Sequence, residues 1–210
     1  MWRILALAVL FGASGAAAAD LSVSVRSPAG APVADAVVMV YPAGGVPVGA
    51  QFHPDAPLRM VQQNLQFAPF VLVVPVGASV AFPNLDRVRH HVYSFSPAKR
   101  FELKLYGRDD TRSVQFDKSG VVALGCNIHD SMVAFIRVVD TPYAAKTGAD
   151  GVAVLHDLPA GGAQLRVWRP YLKAPGNEIE QPISLPHSGV LAQAVTADVR
   201  PPAPTMHAMY

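Results

Sequence analysis

FAPFVLVVPVGASVAFPNLDRVRHHVYSF, residues 67–95, sets the pattern for the whole chain. An apolar, valine-rich run ends at Pro75, Val76 and Gly77 supply a turn, and a second run ends at Phe82. A polar loop then delivers His90 and His91 to the start of a third run. Short runs of β-branched and aromatic residues set between Pro, Gly, Asn and Asp are strands, because such side chains pack on a pleated surface and the punctuating residues fit turns. The same pattern recurs in LSVSV (21–25), AVVMV (36–40) and VVAL (121–124). Strand-length runs at this spacing predict an all-β sandwich. Long amphipathic helical periods are absent, and SPAKRFELKLYG (96–107) reads as a short helical or irregular turn or as a strand reached through a loop.

Downstream, SVQFDKSGVVALGCNIHDSM (113–132) repeats the pattern, with a turn at Lys118 to Gly120 and a strand ending at Cys126. His129 and Met132 follow at intervals of three. Each of these residues has an ordinary structural reading. A single cysteine is often a buried apolar side chain, His90 and His91 could be a solvated pair, and Met132 could open the core face of VAFIRVV. The surroundings of Cys126 favour a ligand instead: Gly125 and Asn127 make a bend after an apolar strand, and a polar histidine lies one short loop on. A histidine loop and a Cys/His/Met loop at the ends of neighbouring strands would meet. One thiolate, two imidazoles and a weak thioether form a soft, mixed donor set that suits copper, whereas structural zinc takes four strong ligands and calcium takes oxygens. Two histidines and a cysteine with a distant methionine suit electron transfer, because little rearrangement accompanies the redox change.

MWRILALAVLFGASGAAAAD reads as a secretory leader spanning residues 1–19, with Arg3 ahead of an apolar run from Ile4 to Phe11 and small residues placed for cleavage before Asp20. That run falls well short of the ~20 residues a membrane span needs. A periplasmic protein without a membrane span is therefore expected. The compartment is oxidising, yet one cysteine in 210 residues forms no internal disulfide. A formal charge of +2 provides no concentrated basic face for nucleic acid. No Ser/His/Asp grouping has supporting context, and Glu178 and Glu180 sit in a Pro/Gly-rich loop without a second cluster, so neither an enzyme nor a small-molecule substrate is expected. The tail from 201 to 210 reads as disordered, with Met206, His207 and Met209 as soft-metal candidates.

Two outer pieces match each other across the middle of the chain. Gly30, Pro32, Val33, Asp35, Ala36 and Val38 form one set of turn and strand signals. Thr147, Asp150, Gly151, Asp157, Leu158, Pro159, Ala160, Gly161, Leu165 and Val167 form the other. Together they resemble the small immunoglobulin-like carboxypeptidase regulatory-type domain, in which the two parts lie close in sequence. The resemblance implies a domain made of 20–50 and 141–200 with residues 51–140 inserted between them. The alternative is a hairpin at 20–50 added to the central domain, with the C-terminal part a separate module.

The central part resembles the cupredoxins, and among them the amicyanin- and plastocyanin-like blue copper proteins. Val74, Gly77, Val80, Phe82, Asn84, Asp86, His90 and Val92 match one motif, and Phe116, Gly120, Cys126, His129 and Met132 match the other. The resemblance covers about 75 residues. It implies a Greek-key sandwich holding one type 1 copper ion through His90, Cys126, His129 and Met132, and a one-electron carrier serving redox partner proteins. Where the family has asparagine after the first histidine, this chain has His91, which adds a rival ligand. Adjacent strand residues face opposite ways, so both rings cannot serve one metal. Motif spacing assigns His90 as ligand and leaves His91 to stand in for the missing amide near the cysteine loop. Val122 and Leu124 replace family aromatics, and Asp130 stands where proline is common. Two other functions remain open: copper delivery, which the paired histidines and the Met/His tail would suit, and a binding module whose site is empty.

Overall fold

The computed structural model describes residues 18–201 except 55, 56, 109 and 130. Most of the leader, the tail from 202 and Asp130 thus lie outside the described residues. In chain order the strands are β1 (Ala18–Arg26), β2 (Val37–Pro42), β3 (Val61–Gln63), β4 (Gln66–Ala68), β5 (Val71–Pro75) and β6 (Ser79–Pro83). Then come β7 (His90–Ser96), β8 (Lys99–Tyr106), β9 (Thr111–Gln115), β10 (Gly120–Cys126) and β11 (Val133–Val139). The last are β12 (Ala144–Lys146), β13 (Val152–Pro159), β14 (Gly161–Trp168), β15 (Glu178–Leu185) and β16 (Val190–Thr196). One 3₁₀ turn, Pro175–Asn177, is the only helical element among the described residues, and none is long and apolar enough to cross a membrane. Residues 96–107 take the strand option, since Phe101 and Leu103 pack against the core on every second position of β8.

The outer segments pair with each other. β2 lies between β12 and β14, with Val38 opposite Val167 and Val40 opposite Leu165. β1 lies between β13, antiparallel, and β16, parallel. These two sheets enclose one core that includes Leu21, Val23, Val25, Val38, Val40, Leu155 and Leu165. The middle segment forms a five-stranded sheet ordered β5-β11-β10-β7-β8, with the β6–β9 and β3–β4 pairs beside it. Its core includes Phe82, Val92, Phe116, Val122, Leu124, Cys126, Met132 and Ile136.

A third cluster explains the unbroken apolar run of β2. Val38 and Val40 face the first core, while Val37 and Met39 turn the other way, onto Val71, Val139 and Trp168, with Phe135 and Val121 alongside. A strand covered on both faces has no polar side to alternate with. The contact is reinforced by Arg137, which donates to Glu178 at 2.6 Å and lies 5.8 Å from the Trp168 ring centre.

Thr147 ties the two outer segments together. Its hydroxyl accepts from the Ala36 amide at 2.9 Å and donates to the Val33 carbonyl at 2.8 Å, with the side chain buried. Nearby, Gly151 at φ +73° is obligatory, because a Cβ there would meet the Val25 carbonyl oxygen at 2.6 Å. Thr147→Val keeps the shape but leaves a buried N–H and C=O without partners, at about 1–3 kcal/mol. Urea denaturation should show that loss, and an unchanged midpoint would mean that the hydroxyl does not tie the segments.

Candidate metal centre

Strand alternation places the donors. Along β10, Val122, Leu124 and Cys126 point into the core while Ala123 and Gly125 point out; along β7, His90, Val92 and Ser94 point in while His91, Tyr93 and Phe95 point out. β7 and β10 are direct neighbours, and Cys126 pairs with Val92. His90, two residues from Val92 on the same face, therefore reaches the cysteine. On the outer side Tyr93 pairs with Gly125, and its ring takes the room of the absent side chain: a Cβ at 125 would lie 2.8 Å from it.

After Cys126 the chain turns back, with the Met132 amide donating to the His129 carbonyl at 3.0 Å. That turn returns the His129 ring toward the strand end. His90, Cys126 and His129 bring one potential ligand atom each to within 4.8 Å of one another. Cys126 Sγ lies 3.9 Å from His90 Nδ1 and 3.8 Å from His129 Nδ1. Metal bonds of about 2.0 Å to nitrogen and about 2.3 Å to sulfur, meeting at tetrahedral to trigonal angles, separate their donors by roughly 3.5–3.7 Å. The two sulfur–nitrogen separations are thus within a few tenths of an ångström of those a shared metal ion would set. His90 is fully buried, Cys126 nearly so, and His129 half-buried at the rim. Met132 is buried in the same core cluster as Cys126.

The far nitrogen of His90 is held as well. Nε2 lies 2.7 Å from Asp86 Oδ2, and the same carboxylate accepts the backbone amides of Asn64 at 2.7 Å and Leu65 at 3.1 Å. Burial alone would raise the Asp86 carboxyl, but the hydrogen bonds from His90, Leu65 and Asn64 bring it below the usual carboxylate range. Asn84, fully buried, fixes the loop: its amide donates to the Val88 and Tyr106 carbonyls and its oxygen accepts from the Asp86 amide.

His91 departs from expectation. Instead of bonding to the cysteine loop, it lies on the opposite face, with Nε2 2.8 Å from Glu102 Oε1 and Nδ1 buried without a partner among the described residues. Alternation along β7 is the reason, since a ring that follows the His90 ring in sequence must leave by the other side of the sheet. Asp86 belongs to the first cupredoxin-like motif, and an acid four residues ahead of the histidine is the one sequence signal of its contact with His90. Glu102 carried no signal, because its meeting with His91 depends on the β7–β8 register.

No protein-family model matches the chain, and no curated protein matches it. Among solved structures, the chain is similar to a copper-containing nitrite reductase from Thermus scotoductus, at 28% identity over 46% of this chain and a TM-score of 0.39. The chain spans only 25% of that reductase. It is similar also to a reduced single-residue variant of amicyanin, at 18% identity and a TM-score of 0.37, covering 50% of this chain and 99% of that one. Amicyanin from Paracoccus versutus matches at 16% identity and a TM-score of 0.36, over 48% of this chain and 91% of that one. Likenesses this distant carry no argument, and the case for a metal centre is the convergence of His90, Cys126 and His129.

Proposed function

We propose that this chain is an exported type 1 copper protein that carries single electrons between partner proteins, with His90, Cys126 and His129 as strong ligands and Met132 as a weak one. The observation that carries the reading is the approach of one thiol and two imidazole nitrogens at 3.8–3.9 Å, two of the three residues being buried. Copper bound there would supply one-electron redox chemistry. The chain's part is to hold the donors still. His90 is fixed from behind by Asp86, Cys126 by its place in the ladder, and His129 by the turn that Met132 closes. Fixed donors disfavour the square-planar arrangement that Cu(II) prefers, so gain or loss of an electron demands little movement. His129 at the rim is the residue through which a partner protein would approach.

The same reading takes residues 51–140 as a cupredoxin-like copper unit and residues 20–50 with 141–200 as an immunoglobulin-like unit around it, the β2–β14 ladder joining the two halves of the latter. Periplasmic export follows from the leader. Cleavage before Asp20 would remove the Ala18–Pro159 and Ala19–Leu158 pairs and leave the parallel ladder that starts at Asp20 with Val190. Intact-mass measurement of the exported protein should therefore give a chain beginning at Asp20, and a retained Met1 terminus would count against export.

One equivalent of Cu(II) should produce an intense visible band from thiolate-to-copper charge transfer. Cys126→Ser should abolish it, since a hydroxyl lacks the acidity and softness of a thiol. His90→Ala and His129→Ala should each weaken copper binding by more than the roughly 10–100-fold typical of losing an outer hydrogen-bond partner. Met132→Leu, of nearly equal volume, should keep one copper per chain and shift the reduction potential. His91→Ala should leave the band intact. A colourless protein that still binds Cu(I) would point to copper delivery instead, and one that binds neither ion would mean an empty module.

A further inference from the structure

We infer that Asp86 is a positioning residue: it fixes His90, before any metal arrives, in the tautomer whose proton sits on Nε2 and whose Nδ1 lone pair faces Cys126. A carboxylate only accepts, so at 2.7 Å from Asp86 Oδ2 the His90 Nε2 must donate. His90 is fully buried, so water does not compete for either ring nitrogen. With Nε2 carrying the hydrogen, Nδ1 keeps its lone pair, and it is Nδ1 that stands 3.9 Å from Cys126 Sγ.

The carboxylate is itself aimed. Asn64 and Leu65 form the two-residue turn between β3 and β4, each at φ +56°. Such a turn favours Asn-Gly, and leucine in the left-handed region is strained. Both turn amides nevertheless point at Asp86, and the loop that carries Asp86 is clamped by Asn84. Two amides and one imidazole thus converge on one carboxylate, which leaves it little freedom to rotate away. A turn about 25 residues upstream in sequence thereby sets the orientation of a ring in the candidate centre. An imidazole that donates to a carboxylate is also the more basic ligand. Asp86 therefore favours Cu(II) over Cu(I), a consequence that rests on the copper reading, whereas the tautomer does not.

The test has two arms on the full chain. Long-range proton–nitrogen NMR of the metal-free protein should show His90 as a single Nε2–H tautomer, and Asp86→Ala should convert it to a mixture or to the Nδ1–H form. Competition with chelators should show Asp86→Ala losing roughly 10–100-fold in Cu(II) affinity and less in Cu(I) affinity. A native His90 protonated on Nδ1 would overturn the inference even if the variant did not fold. An unchanged tautomer in a folded Asp86→Ala protein would overturn it as well. Should the protein bind no copper, the function proposed above fails while the NMR arm still decides the role of Asp86.

Discussion

The pairing of Cys126 with Val92 across β10 and β7 is the contact on which the candidate centre depends. It places the thiol at the end of one strand beside the start of its neighbour, where the inward positions are His90 and Val92. The side-chain period of a strand is two, so a one-residue slip of this ladder would turn His90 outward and present His91 in its place. What fixes the register is the apolar content of the inward positions. Val92 is buried in one core with Val122, Leu124, Ala134 and Ile136, and a slip of β7 would turn it out of that core. The core that makes the sandwich stable and the geometry that brings three donors together are one set of residues.

The outer face of that sheet is covered in part by β2 and β14, strands of the first core. Val121, Phe135 and Val73 meet Val37, Met39 and Trp168, so β2 is buried on both sides and the sheet carrying Cys126 is backed at one end by packed side chains. The Arg137–Glu178 pair at this contact is mostly buried, with side chains 12% and 15% exposed. A buried ion pair adds little net stability, but removing one partner leaves the other charge stranded, so the pair acts chiefly to fix how the two layers meet. Beyond the covered end the face opens, and Phe95 is 74% exposed.

Much of this was legible in the sequence. Runs of β-branched residues between Gly and Pro gave strands, and the Cys-x-x-His-x-x-Met spacing placed two donors in one loop, because a loop that short must turn back on its own strand. Period-two alternation separated His90 from His91 without any coordinates. What stayed hidden depends on register and loop path. His91 was expected near the cysteine loop and instead meets Glu102, a partner fixed only when β8 docks on β7. The left-handed turn at Asn64 and Leu65 carries no glycine to announce it, and its two amides find Asp86 only after the β3–β4 hairpin closes against the histidine loop. Segment 96–107 was ambiguous for a related reason: Phe101 and Leu103 alternate as a strand does, but β8 is an edge strand with charged outward residues and a weak apolar signature.

Anomalous diffraction at the copper absorption edge, from crystals of the protein loaded with one equivalent of Cu(II), reveals whether the three converging donors hold the metal. The expected result is a single strong peak bonded to His90 Nδ1, Cys126 Sγ and His129 Nδ1. A peak at His91 and Glu102, or in the Met/His tail, with none between the three converging donors, would contradict it.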